Sequence, residues 1–311
     1  MADKAQDELE TPESKREEAE AAAEEMTKAP NEGAAVDDFF STDDIFRRVL
    51  ATAAHELERP TGTFIWGALA AGLIVGFSFL ARIAVSAEVP DAPALVGDLL
   101  YPIGFIFVIL GRYPLYTENT LTPVTLALTR FSSLSDIVRI WGLSYAPNLA
   151  GAFLFALMLA KAGVLDPDAA EVARGFGEHL LEARWSEAFA RAVLAGWLLA
   201  GLVWLVHAAR DTIARLVLIW LVIYLQVSAG LYHCIVGSVE VLYAVLVGSS
   251  SFGAYLTDFL VPVTLGNTVG GVVFVAVLNW AQFSADRGHG SDLGPRLSWR
   301  EWFLGRRQTD A

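Results

Sequence analysis

Hydrophobic positions run almost unbroken through six stretches of this chain, at about 62–86, 94–130, 137–163, 186–208, 214–248 and 257–283. Each is near or above the ~20 residues that a helix needs to cross hydrocarbon. Two of the six are interrupted by polar and helix-breaking residues. The second contains Gly111-Arg112-Tyr113-Pro114-Leu115-Tyr116-Thr117-Glu118-Asn119-Thr120, where Pro114 and the polar cluster predict a broken helix. The fifth contains Gly230-Leu231-Tyr232-His233-Cys234 and then Gly237-Ser238-Val239-Glu240. Hydrocarbon tolerates such groups only where protein encloses them or where they line a watery path. Discontinuous helices of this kind mark the solute site of transport proteins.

The two halves also match in order. Ala68, Ala71 and Gly72 in the first stretch correspond to Ala192, Ala195 and Gly196 in the fourth. Asn148, Gly151 and Phe155 in the third correspond to Asn267, Gly270 and Phe274 in the sixth. Three spans per half is an odd number, so the second half enters the membrane in the opposite sense. The expected fold class is therefore an all-α membrane protein, six transmembrane helices in an inverted three-plus-three repeat with helices 2 and 5 broken.

Outside the spans the picture is polar. Nearly half of the Asp and Glu residues precede residue 59, so the net charge of −13 belongs largely to a tail and says little about the core. The pattern divides the chain into a disordered acidic tail (1–40), an amphipathic surface helix (41–58), a channel domain (59–285) and a basic, aromatic tail (286–311). The surface helix opens on Ser41-Thr42-Asp43-Asp44 and places Ile45, Phe46, Val49, Leu50 and Ala53 on one face. Ser298 to Phe303 reads as an interfacial anchor. Arg130, Arg139, Arg210, Arg215, Arg287, Arg296, Arg300, Arg306 and Arg307 fall on one side with both termini, so that side is expected to be cytoplasmic and the protein to sit in the inner membrane. The exception is the connection between spans 3 and 4, with Lys161, Arg174 and Arg184. The acidic balance argues against nucleic acid. No phosphate-binding loop, metal-ligand spacing or nucleophile–base arrangement stands out, so neither an enzyme nor a cofactor is expected.

With breaks in spans 2 and 5, Leu-Tyr-Thr at 115–117, Gly-Leu-Tyr-His at 230–233 and Pro-Val-Thr-Leu-Gly-Asn-Thr-Val-Gly-Gly at 262–271, the chain resembles the formate/nitrite transporter family over about residues 40–285. The resemblance implies a homopentamer of aquaporin-like protomers, each with its own pore. It implies that Leu115, Tyr116 and Thr117 narrow the cytoplasmic side, that His233 is the central pore histidine, and that Asn148 and Asn267 are the paired asparagines of spans 3 and 6. The helix at 41–58 matches the family's N-terminal helix at the cytoplasmic entrance. Three departures place the chain in a divergent branch. Glu118 stands where a small residue is usual, Leu180 where a lysine usually draws anions, and Gly196 where many members have asparagine. Glu240 is an added carboxylate.

Each candidate carries two readings. His233, ionisable and inside a span, is either a satisfied core residue or the group that gives a proton to a passing weak-acid anion. Glu118 and Glu240 either cap half-helices or replace an anion-favouring field with a cation-favouring one, and Arg112 is a candidate partner for Glu118. Asn148 and Asn267 are expected to anchor the broken loops through freed backbone groups. Glu187 and Arg191 are spaced for an i, i+4 pair. Phe77 and Phe79 point in different directions, so they are not expected to share a pore. The expected function is a channel or secondary transporter for a small monovalent solute, first a weak-acid anion such as formate or nitrite moved with a proton. The alternatives are a path for ammonium, ammonia or water, and a non-conducting membrane scaffold or sensor.

Overall fold

The computed structural model describes residues 40–283 and 296–305. Among these the chain is mostly helical and has no strand. The acidic tail before Phe40 and the basic residues Arg287, Arg306 and Arg307 lie outside the described residues.

Helix α1 (Thr42–Glu58) starts with Asp43 and Asp44 in its first turn, where carboxylates favour the exposed N–H groups. It buries Ile45, Phe46, Val49, Leu50 and Ala53, the face expected from the spacing of its apolar residues. Pro60 separates it from α2 (Thr61–Glu88), a continuous apolar helix about 42 Å long at 1.5 Å per residue. The second apolar stretch does not form one helix. It folds as α3 (Ala94–Asp98), α4 (Ile103–Leu110) and α5 (Thr122–Leu128). Between α4 and α5 lies a non-helical segment with one tight turn at Glu118–Thr120.

Helix α6 (Leu134–Lys161) begins on a reciprocal cap, with Ser133 Oγ accepting from the Asp136 N–H and Asp136 accepting from the Ser133 N–H. Helix α7 (Pro167–His179) was not foreseen in the connection between spans 3 and 4. Its signal was local: Asp166 caps the Ala169 N–H at 2.9 Å and Pro167 opens the first turn. Helix α8 (Trp185–Ala208) is continuous, and Arg191 pairs with Glu187 at 2.6 Å near its start. The fifth stretch is split into α9 (Thr212–Ser228) and α10 (Val236–Leu246). Helix α11 (Phe252–Val277) winds wider than an ordinary α-helix at Tyr255–Leu260 and Val272–Val277, and leads into Leu278–Phe283. The short α12 (Trp299–Leu304) starts on a second reciprocal cap between Ser298 and Glu301.

Among the described residues four helices are long and apolar enough to cross a membrane: α2, α6, α8 and α11. They pack as two close pairs, α2 on α6 and α8 on α11. Glycines set both distances. A Cβ on Gly72 would strike the backbone carbonyl of Asn148, and one on Gly196 would strike that of Asn267. Gly151 and Gly270 sit equally tightly against the carbonyls of Leu69 and Val193. Small residues are what allow apolar helices to approach this closely. Gly196, flagged above as a departure, is thus a contact that only hydrogen fits.

Of the split helices, α10 packs on α6, α7 and α2, whereas α9 packs on α8 and α4 and leaves an apolar face exposed. Helix α1 packs on α5 and on the end of α8, with Phe46, Leu50 and Ala53 against Leu126. The segment expected to anchor in the interface also docks on the protein itself. Trp302 Nε1 donates to the Ala127 carbonyl at 2.6 Å, Leu297 N–H donates to that of Arg130 at 2.8 Å, and the Arg130 guanidinium covers Trp299.

Candidate pore site

The two breaks expose backbone groups that no helix can satisfy, and one asparagine serves each. Asn148, on α6, accepts the Tyr116 N–H at 2.8 Å through Oδ1. Its Nδ2 donates to the carbonyls of Ala68 (2.6 Å) and Pro114 (3.0 Å). Asn267, on α11, accepts the Cys234 N–H at 2.9 Å and donates to the carbonyls of Ala192 (2.8 Å) and Tyr232 (2.9 Å). Both asparagines are fully enclosed. Each therefore ties one long helix of a pair to the loop interrupting a split helix.

Between the clamped positions lie Leu115 in the first break and His233 in the second. The turn after Gly230, which has a positive φ of 66°, brings His233 back over the start of α10. There its Nδ1 accepts the N–H groups of Ile235 (3.2 Å) and Val236 (3.3 Å). An Nδ1 that accepts carries no proton, so the ring proton is on Nε2, which donates to Thr117 Oγ1 at 2.9 Å. Thr117 belongs to the other break, so this bond joins the two. Phe105 lies edge-on to the imidazole with centroids 5.1 Å apart. Leu115, Thr117, Phe105 and His233 are all buried, which makes this junction dry. A neutral ring that lost its Nε2 proton would be left as imidazolate. Proton donation by His233 alone therefore requires a second proton on Nδ1 and the loss of two backbone bonds.

Two cavities flank this region, one reaching Glu118, next to Thr117 in the chain, and the other bordering His233. On the α1 side, about 550 Å³ is lined by charged and titratable groups that include Arg48, Glu56, Arg112, Glu118, His207 and Arg215. Glu56 Oε2 accepts from Thr122 Oγ1 at 3.1 Å, and burial pushes its carboxyl up to about 7, against the opposing pull of Thr122 and Arg59. Thr52 Oγ1 lies 3.0 Å from His207 Nε2. Burial, and after it the positive charges of Arg215 and Arg210, lowers the Arg48 guanidinium below its ordinary value. Glu118 faces this cavity, and among the described residues no ion pair joins it to Arg112. Nor does its side chain cap α5, whose N-cap position is Leu121.

The second cavity is smaller, about 80 Å³, and His233, Arg82, Tyr101, His179, Arg191 and Glu240 line it. Arg82 lies six residues from the end of α2 remote from α1, which places this cavity toward the opposite face. Glu240 does not cap α10. It lies a turn inside that helix, with Oε1 accepting from the Tyr101 hydroxyl at 3.3 Å and Oε2 3.8 Å from Arg82 Nη1. The same guanidinium is closer to Asp98, at 2.8 Å, and stacks on Phe176 at 4.0 Å.

Arg82, Asp98, Tyr101, Glu56 and His207 were not among the residues singled out from the sequence. For Arg82 and Asp98 the signal was present: an ionisable side chain inside an apolar stretch, the criterion that selected His233. Tyr116 turns away from the junction, with its hydroxyl 2.8 Å from Thr268 Oγ1 and its ring on Tyr145. Phe79 is buried in the core and Phe77 is exposed, so neither meets the other. The Phe274 side chain lies outside what is described.

A family model described as formate/nitrite transporter matches residues 43–281. The inner membrane protein YfdC of Escherichia coli (strain K12) is 32% identical over 246 residues, covering 78% of this chain and 79% of that protein. A probable formate transporter of Methanothermobacter thermautotrophicus is 30% identical over 264 residues, covering 78% of this chain and 96% of that one. Among solved structures, a pentameric formate channel with formate bound is 26% identical, with a TM-score of 0.64 over 72% of this chain and 98% of its own. A second, an ion channel of the FNT family, shares the fold at 21% identity and a TM-score of 0.68.

Proposed function

The chain belongs to the formate/nitrite transporter family, and we propose that it carries a small monovalent weak-acid anion of the formate type across the membrane, together with a proton. The observation that carries this is the Thr117–His233 bond: one dry, hydrogen-bonded junction between two polar cavities. An anion leaving either cavity meets a barrier of Leu115, Phe105 and the Thr117–His233 pair. Charge is far more costly in such a barrier than a neutral acid. The Nε2–H of His233 is the donor available to the solute once Thr117 yields it, and Leu115, Tyr116, Thr117, Glu118, Asn148, His233, Glu240 and Asn267 form or support the path.

In this reading the four long helices and two split ones are six spans in an inverted repeat. The matched bonds of Asn148 and Asn267 support it. The protomers assemble as a homopentamer, as the pentameric formate channel does. The α1 side, where Arg48, Arg130, Arg139, Arg210 and Arg215 gather, is the cytoplasmic face of an inner membrane, by the excess of positive charge.

Uptake of formate, nitrite and methylammonium into proteoliposomes across pH 5–8 tests the reading. Formate uptake that rises on acidification and falls in His233→Asn is expected. Methylammonium uptake without formate uptake would overturn it in favour of a cationic or neutral solute.

A further inference from the structure

Two buried carboxylates share one guanidinium in the cavity opposite α1. Asp98 and Glu240 are both almost wholly buried, and Arg82 is the nearest cation to each. It is committed to Asp98 by 2.8 Å against 3.8 Å, and its face is occupied by Phe176. Glu240 Oε1 takes the Tyr101 hydroxyl, while Oε2 is buried and accepts no hydrogen bond, and the residue borders the cavity that His233 also lines. A second negative charge enclosed beside a single positive one is expensive, and a carboxyl group meets that cost by holding a proton.

His233 is poorly placed to do the same. Its Nδ1 is saturated by two backbone donors at the start of α10, where the helix dipole also opposes a positive ring. The other titratable groups on the cavity wall are Tyr232 from the second break, His179 from α7 and Arg191 from α8, while Tyr255 from α11 gives its hydroxyl to Ser238. Helix α6, also packed on α10, contributes Ala152, Phe155 and Ala156 to the same apolar core. Arg191 donates to the Gly230 carbonyl and pairs with Glu187, so it is not a free counter-ion for Glu240.

We propose that Glu240 is the proton-loading group of the transport step: its carboxyl protonates the weak-acid anion in the cavity beside His233, and the neutral acid then crosses the junction. The proposal rests on the weak-acid reading above. The Glu240 O–H bond breaks and an O–H bond forms on the anion's carboxylate, leaving neutral acid and a Glu240 carboxylate. A hydronium ion from the opposite face restores the carboxyl and leaves water. Thus one proton moves with each anion, and His233 keeps its ring proton as a hydrogen-bond donor throughout.

The test uses the full chain in proteoliposomes, with formate flux and internal pH followed together between pH 5 and 8. Wild-type flux is expected to rise on acidification by up to about tenfold per pH unit, with one proton per formate. Glu240→Gln loses the acid stimulation and the proton, and Glu240→Asp restores both. Asp98→Asn releases Arg82 toward Glu240, so acid stimulation moves to lower pH by about one unit. A Glu240→Gln protein with the wild-type pH profile and proton count overturns the proposal, as does an unmoved profile in Asp98→Asn. Gel filtration confirms assembly, and if Glu240→Gln fails to assemble, the Asp98→Asn and Glu240→Asp profiles decide. Infrared difference spectra separate this proposal from the solute reading. A protonated-carboxyl band that titrates in wild type and vanishes in Glu240→Gln supports proton loading even if formate is not carried. Absence of that band overturns it even if formate is.

Discussion

The first and second breaks are built alike and used differently. In each, an asparagine from a neighbouring long helix accepts one loop N–H and donates to one loop carbonyl and one carbonyl of the paired helix. Between the clamped groups the first break presents Leu115 and the second His233. The scaffold that holds an interrupted helix open is thus separable from the side chain displayed on it. The asparagines do structural work that hydrocarbon makes obligatory, because freed backbone groups have no water to turn to. The displayed residue is free to be apolar on one side and polar on the other.

Breaking the clamps should have the largest effect, and an equal one at both sites. Asn148→Ala and Asn267→Ala each remove three hydrogen bonds and strand buried N–H and C=O groups. Each should lower stability by roughly 3–5 kcal/mol, read as thermal unfolding of the detergent-purified protein. A large loss at one site and almost none at the other would end the equivalence of the two breaks. Next come the glycines that let the clamped helices meet. Gly72→Ala and Gly196→Ala each press a methyl group onto an asparagine backbone carbonyl, and each should lower stability by about 1–3 kcal/mol in the same assay.

These clamps also show what was readable before the structure. The order Ala68-Gly72-Asn148-Gly151 repeated as Ala192-Gly196-Asn267-Gly270 is a contact pattern written in small residues, so the pairing of long helices was legible. The breaks were legible too, since Pro114 and Gly230 stand in otherwise apolar runs. The partners of the carboxylates were not. Glu118 and Glu240 read either as caps or as a cation-favouring field, because only local spacing is visible in sequence, whereas Glu240 meets Tyr101 and Arg82 from remote helices. Arg82 was passed over inside an apolar run although its charge was the anomaly. Helix α7 was missed because its Asp166-Pro167 start sits in a connection read only for charge.

Exchanging the displayed residue isolates the chemistry from the scaffold. His233→Leu gives the second break the side chain of the first and leaves the Asn267 clamp untouched. Formate flux should fall about tenfold or more, equivalent to 1.4 kcal/mol in the barrier, while assembly stays close to wild type. Thr117→Val removes the acceptor from the other side and should produce a smaller fall of the same sign. If His233→Leu instead unfolded the protein as severely as Asn267→Ala, the histidine would belong to the scaffold and the two breaks would differ less than their side chains suggest.

The smallest effect concerns how the first break is held from outside, where α1 packs on α5 much as α7 packs on α10 at the second. Helix α1 touches α5 through Glu56, whose Oε2 accepts the Thr122 hydroxyl at 3.1 Å. Burial holds the Glu56 carboxyl at about 7, above the ordinary 4.5, so the folded protein keeps a proton that the unfolded chain has already released. Stability is then highest below about pH 4.5, falls as pH rises toward 7, and levels off above it. Because Glu56 is only partly buried and borders a charged cavity, solvent screening should limit the loss to about 1 kcal/mol. Glu56→Gln keeps an acceptor for Thr122 and carries no charge, so it should abolish this slope. Hydrogen exchange of the α1 amides between pH 5 and 8 reads the effect where it arises. Protection of α1 should drop with rising pH in wild type and stay level in Glu56→Gln. A slope that survives the substitution would transfer the dependence to another group on that cavity wall and leave α1 held to α5 by its apolar face, Phe46, Val49, Leu50 and Ala53.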